Sequence, residues 1–214
     1  MKGKFITFEG GEGTGKSTQI RLLEQYLKEK GEDVVVSKEP GGTEVGLEIR
    51  KLLVCGDKDK FDATAEALLY FADRHIHLTQ KIWPAMEKGK IVLSDRFADS
   101  TFAYQYYGYN KRVSRDTLEA LYDIAVGKFK PDLTIILDIN PEKGLARSFN
   151  KAKGMEIKEL RFEGRDIEFH NNLRNGFLKI AEEEPQRCVV LNADKTIDEL
   201  HQDIIKVINE RLGL

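Results

Sequence analysis

Gly10-Gly11-Glu12-Gly13-Thr14-Gly15-Lys16-Ser17 follows the apolar, β-prone run Phe5-Ile6-Thr7-Phe8 almost directly, and a helical stripe of Ile20, Leu23 and Leu27 follows it in turn, ended by Gly31. The eight residues match GxxxxGK[ST] in full, in the strand-to-helix context that gives this pattern its meaning. Glycines let the backbone curl until successive N–H groups face inward, and the helix starting near Lys16 adds the positive end of its dipole. A polyphosphate is the natural occupant. Lys16 is placed to reach the β- and γ-phosphates, and the Ser17 hydroxyl to meet Mg²⁺. The stretch therefore predicts binding of ATP or GTP with its metal. Alone it does not separate a kinase from an NTPase, a transport motor or a switch protein.

Outward from this loop, short apolar runs alternate with helical patterns. Val34-Val35-Val36, Ile91-Val92-Leu93, residues 133–137 and Val189-Val190-Leu191 read as further buried strands. Helices are expected over residues 17–30, 45–53, 63–87 with a bend near Pro84, 100–107, 114–126, 141–151, 167–183 and 196–212. Near-continuous apolar strands separated by helices predict a three-layer α/β/α P-loop fold around a five-stranded parallel sheet. The length of 214 residues, without repeats or Pro/Ser-rich linkers, suits one domain spanning residues 1–214. Residues 151–165 are charged, interrupted by Gly154 and Gly164, and read as a mobile connection.

Composition narrows the partners. Charged residues make up 33% and hydrophobic ones 41%, ordinary for a soluble globular protein. A net charge of -2 argues against a nucleic-acid-binding surface. Cys55 and Cys188 form no CxxC and no zinc spacing, and no apolar run reaches signal-peptide or membrane-spanning length. A cytoplasmic protein without membrane or nucleic-acid partners is expected.

In parallel sheets ligands bind beyond the carboxyl ends of the strands, so the residues after each strand are candidates. Asp95-Arg96-Phe97 closes the third strand with a carboxylate and a guanidinium side by side, suited to a metal or an acceptor and to phosphate charge. Ser100, Thr101, Tyr104 and Gln105 present polar groups at spacings of three and four, on adjoining helix faces. Glu39-Pro40-Gly41-Gly42-Thr43 follows the second strand as a turn. Tyr70 and Arg74, four apart, can offer a ring face and a fork of donors to one planar ligand.

The segments EGGEGTGKST, KEPGGTEVGLEIRKLL, EALLYFADR, VLSDRFADSTFAYQ, PDLTIILDI and RFE…F…LRNGFLKIA, in this order and spacing, resemble the thymidylate kinase family over nearly the whole chain. EPGGT, DRF and AYQ together are far more specific than the phosphate loop. The resemblance implies transfer of the γ-phosphate of ATP to dTMP, giving ADP and dTDP for dTTP and DNA synthesis. It implies that residues 10–18 hold ATP, with Lys16 catalytic, and that Ser17 and Asp95 serve the metal. Arg96 would bridge donor and acceptor phosphates, with Asp95 beside it.

For the acceptor it implies Tyr70 stacked on thymine and Arg74 bonded to a thymine carbonyl. Thr101 and Gln105 would face the base, and Tyr104 the 2′-carbon. Glu12 would approach the 3′-hydroxyl, and Arg50 the acceptor phosphate. Glu39, Pro40 and Ser100 complete the dTMP set. Residues 147–165 resemble the lid over ATP. Because the phosphate loop lacks an arginine, the family pattern assigns the catalytic cation to the lid, and Arg161 is the expected residue, flanked by Arg147 and Arg165 as ATP contacts. A homodimer packed helix to helix is also implied. The sequence departs from the pattern at Lys38, where an arginine commonly stands, at Tyr70 in place of Phe, and at Tyr106-Tyr107-Gly108-Tyr109.

Two other readings compete. A deoxynucleoside or UMP/CMP kinase shares the fold but not the Tyr70, Arg74, Thr101, Tyr104 and Gln105 set. A switch or partition ATPase would need a water-positioning residue and a switch segment, where this chain shows a basic lid and an acceptor pocket.

Overall fold

The computed structural model describes residues 3–57, 59–153 and 161–214. Five parallel strands, β1 (Lys4–Glu9), β2 (Val34–Lys38), β3 (Ile91–Asp95), β4 (Leu133–Asp138) and β5 (Cys188–Asn192), form one sheet in the order β2-β3-β1-β4-β5. Side chains alternate across it, and both faces are covered. Ile6, Phe8, Leu93 and Ile135 pack under α1 (Lys16–Glu29) and α9 (Ile197–Leu212). Phe5, Val92 and Ile136 pack on the other face with α3 (Ala63–His77), α6 (Arg115–Ala125) and α8 (Ile167–Glu183). Burial on both faces is why the strands read as continuous apolar runs.

Local chemistry sets the helix starts. Thr43, Asp62 and Asp166 side chains accept N–H groups of the first turns of α2 (Glu44–Val54), α3 and α8, and Thr196 with Glu199 forms a capping box on α9. The expected bend near Pro84 takes a specific form. Residues Leu78–Ile82 form a π-helical turn, and Trp83 N–H reaches back five residues to Leu78 O before α4 (Trp83–Glu87) resumes. Proline has no N–H to continue the regular ladder, and the wider turn absorbs the interruption. The helix expected over 100–107 is also different: α5 (Ala98–Thr101) opens into a π-helix at Phe102–Gly108. Such widened turns concentrate at functional sites.

The chain leaves β1 toward β2 on one side and β3 toward β4 on the other, across β1. The loops after β1 and β3 therefore diverge, and a crevice opens between them. α7 (Pro141–Ala152) runs into the charged stretch expected as a lid, of which residues 154–160 lie outside the described residues.

Candidate active site

The phosphate loop bends where only glycine serves. Gly13 has φ 66°, and a Cβ there would lie 1.9 Å from Gly144 O of α7. Lys16 Nζ donates to Gly11 O at 2.9 Å and Gly10 O at 3.1 Å. Burial, then the neighbouring Arg96, lowers the Lys16 ammonium to a pKa of about 8. An entering polyphosphate offsets both. Ser17 Oγ donates to Asp95 Oδ2 at 2.9 Å. This hydroxyl and carboxylate are an all-oxygen donor pair, suited to a hard cation that keeps most of its ligands from water and phosphate. Among the described residues there is no cluster of three or more His, Cys, Asp or Glu able to hold a metal ion, and such a cation needs none. Thr18 and Lys38 join Lys16 in lining this phosphate cleft.

A second cleft opens on the π-helix side, lined by Tyr70, Arg74, Ser100, Thr101, Tyr104 and Gln105 with Glu39 and Pro40. Arg74 is buried. Its Nε donates to Glu39 Oε2 at 2.9 Å and its Nη2 to Thr101 Oγ1 at 3.0 Å, while Nη1 is buried without a partner. Glu39 also meets His77 Nδ1 at 2.8 Å, and His77 Nε2 meets Ser37 Oγ at 2.6 Å. His77 is thus a strut under the turn after β2. Gly42 is required there because a Cβ would fall 2.3 Å from His77 Nε2. Gln105 donates from Nε2 to Glu66 Oε2 at 2.9 Å, and its Oε1 is buried without a partner. Burial raises the Tyr70 and Tyr104 phenols well above their usual range, so both stay neutral.

The two clefts share a wall made of Glu12, Glu39, Arg50, Arg96 and Glu163. Arg96 stands at φ 72°, a backbone strain of the kind found at functional sites. Its Nη1 donates to Gly10 O at 2.9 Å and Ser100 Oγ at 3.0 Å, and its Nη2 to Tyr104 OH at 2.9 Å and Glu12 Oε1 at 3.1 Å. Tyr104 OH also donates to Glu12. Burial opposes ionisation of Glu12, but Arg96 and Lys16 outweigh it and hold its carboxyl below the usual range. Arg50 Nη1 donates to Pro40 O at 2.8 Å.

The three arginines of the stretch expected as a lid separate. Arg147 lines the phosphate cleft, with Nη1 on Ala193 O at 3.1 Å, and Ser148 and Lys151 stand beside it. Arg161, expected over the γ-phosphate, is instead buried on the far side. Its Nη2 donates to Glu66 Oε1 at 2.6 Å, Nη1 to Leu53 O at 3.0 Å and Nε to Asp57 O at 2.9 Å. A buried guanidinium is held where its donors are met, and they are met there rather than at the phosphate loop. Arg165 is likewise drawn to Asp59 and Tyr109, both at 2.8 Å. Beside Arg161 in sequence, Phe162 and Glu163 line the second cleft. Burial, then Glu12, raises Glu163 to a pKa of about 6, and Ser148 Oγ donates to it at 2.8 Å.

Three carboxylates escaped the sequence reading. Glu9, at the end of β1, accepts from Phe97 N at 2.7 Å and Ser100 Oγ at 2.5 Å, and burial, then Asp99, raises it to a pKa of about 8. Its signal was a charge closing an otherwise apolar strand. Glu66 sat inside the EALLYFADR segment and Glu163 inside RFE, with nothing local to single them out.

A family model described as Thymidylate kinase matches residues 8–204. A protein named thymidylate kinase from Maridesulfovibrio salexigens is 48% identical over 210 residues, covering 97% of this chain and 96% of its own. One of the same name from Caulobacter vibrioides is 46% identical over 213 residues, covering 100% and 99%. A crystal structure titled as thymidylate kinase from Ehrlichia chaffeensis superposes with a TM-score of 0.78 at 34% identity, covering 97% of this chain and 100% of that one.

Proposed function

Because the chain belongs to the thymidylate kinase family, we propose that it transfers the γ-phosphate of ATP to dTMP in its two joined clefts. The observation that carries this reading is their shared wall, where Arg50 and Arg96 border both. ATP lies on the phosphate loop, with Lys16 at its β- and γ-phosphates and residues 10–18 around them. dTMP lies in the second cleft, its phosphate toward Arg50 and Arg96. A phosphate oxygen of dTMP, already anionic at neutral pH, attacks the γ-phosphorus in line. No strong base is needed, and catalysis is positioning plus neutralisation of charge.

The base edge fits thymine. Arg74 Nη1, a donor without a partner, meets a ring carbonyl, and Gln105 Oε1, an acceptor without a partner, meets a ring N–H. Tyr70 supplies the stacking face, Thr101 borders the base, and Tyr104 stands against the 2′-carbon. Ser17 and Asp95 hold Mg²⁺, which when bound neutralises phosphate charge and orients the transferring group. Arg147, with Lys151 beside it, is the lid cation nearest ATP. Arg161 and Arg165 tie the other end of the lid to the dTMP side.

Residues 1–214 serve as one domain. Apolar side chains of Leu47 on α2, Leu68 on α3 and Ile124 on α6, exposed on packed neighbouring helices, support a homodimer. No described helix is long and apolar enough to cross a membrane. That fact and the two free cysteines support a cytoplasmic enzyme.

The test is ADP release with Mg-ATP and each of dTMP, dUMP, dCMP, dGMP, UMP and AMP, with a control lacking acceptor. Turnover led by dTMP, weak with UMP and absent without acceptor supports the reading. Steady hydrolysis without acceptor would replace it with a switch ATPase.

A further inference from the structure

Glu66 is buried on α3 behind the second cleft, where it makes three hydrogen bonds. Its Oε2 accepts from Gln105 Nε2 at 2.9 Å, and its Oε1 accepts from Tyr109 OH at 2.9 Å and Arg161 Nη2 at 2.6 Å. A carboxylate paired to a guanidinium offers only lone pairs. The Gln105 amide therefore has one permitted orientation, with its NH₂ committed to Glu66. The atom left over is the carbonyl Oε1, buried without a partner on a residue that lines the cleft. Arg74 Nη1 is the buried unpartnered donor in the same cleft.

We propose that Glu66 is a specificity-positioning residue: by holding the Gln105 amide with its carbonyl outward, it commits the cleft to pyrimidines with a ring N–H beside a carbonyl. This inference rests on the acceptor reading above. Thymine and uracil present that edge at N3 and O4. Cytosine presents a ring lone pair beside an amino group, so Gln105 Oε1 would face a second acceptor and Arg74 Nη1 a second donor. Buried polar groups left unpaired are what turn a small chemical difference into strong rejection. Arg161 and Tyr109 complete the coordination of Glu66, so an end of the lid and the reading of the base depend on one carboxylate.

The experiment compares kcat/KM for dTMP and dCMP in the wild type, Glu66→Gln, Glu66→Asp and Arg161→Lys, with thermal melts to establish folding. In Glu66→Gln the new amide can donate to Gln105 and release it to turn. The dTMP:dCMP preference is expected to fall about tenfold, a relaxation of one of the two edge contacts. Glu66→Asp keeps the charge toward Arg161 but withdraws its oxygens, so a smaller fall in the same direction is expected, and it decides the matter if the Gln variant does not fold. Arg161→Lys keeps a cation on Glu66, so the carboxylate still offers only lone pairs to Gln105, and the variant is expected to keep the wild-type preference even at a lower melting temperature. A preference unchanged in folded Glu66 variants, with dTMP still turned over well, would overturn the assignment of Glu66. Failure of the wild type to use dTMP would instead remove the acceptor reading beneath it.

Discussion

Ser17 Oγ donates to Asp95 Oδ2 at 2.9 Å, joining the first turn of α1 to the end of β3 across the crevice between β1 and β3. The pair is held by elements far apart in sequence, and both residues line the phosphate cleft with Lys16. Ser17→Ala and Asp95→Asn are each expected to raise the Mg²⁺ concentration for half-maximal turnover by about tenfold or more, the scale at which ligand-orienting groups act. A Mg²⁺ titration at saturating ATP reads this directly, and an unmoved midpoint in both variants would reject the metal assignment.

Lys16 predicts proton uptake on nucleotide binding. In the free protein its pKa is about 8, held down by burial and by Arg96. Bound polyphosphate favours the charged form and returns it toward the ordinary lysine value of about 10.4. ADP binding at about pH 8.5, between those two values, should then take up a fraction of a proton, and at about pH 6.5, below both, almost none. Calorimetry in two buffers of different ionisation enthalpy measures the difference. Equal heats at the higher pH would show that Lys16 is already charged.

Arg147 and Arg161 should separate stability from turnover. Arg161→Met leaves Glu66 buried without its cation, at a cost of about 3–5 kcal/mol. Arg147 is partly exposed, and its pairing with Asp194 is worth about 1 kcal/mol or less, so Arg147→Ala should melt near the wild type while losing turnover and ATP affinity. Denaturant unfolding and steady-state kinetics on both variants decide this. An Arg161→Met protein as stable as the wild type would contradict the buried-pair account.

Glu9 provides a pH test of the strand end. Burial raises its folded pKa to about 8, above the ordinary 4.5, so the folded state binds a proton that the unfolded state releases. Stability from this group is complete below the unfolded value, falls as pH rises from there, and is gone above the folded value. Glu9→Gln mimics the protonated form. It should therefore gain on the wild type steadily as pH rises toward about 8 and stay level beyond. Parallel stability-versus-pH curves would show that Glu9 is ionised in the fold.

Much of the architecture was readable locally. GxxxxGKS between an apolar strand and a helical stripe, four further apolar runs and capping residues such as Thr43 and Thr196 are short-range patterns, and short-range forces decide them. The strands and helices accordingly fall where expected. The π-helical turns before Pro84 and after Thr101 did not, because a turn widens in response to what packs around it. Glu66 and Arg161 illustrate the same limit at the site. Nothing within a few residues of either shows that they meet, since 95 positions separate them.

By itself, the sequence determined a parallel α/β sheet, a phosphate loop after β1 and the polar groups at the strand ends, because backbone periodicity and glycine chemistry act over a few residues. Only the tertiary structure decided that the two clefts share Arg50 and Arg96, that Glu66 holds Gln105 one way round, and that Arg161 turns from the phosphate loop to a buried carboxylate. Those outcomes depend on which distant donor and acceptor are both desolvated at one place, and burial, more than spacing, sets the strength of such pairs.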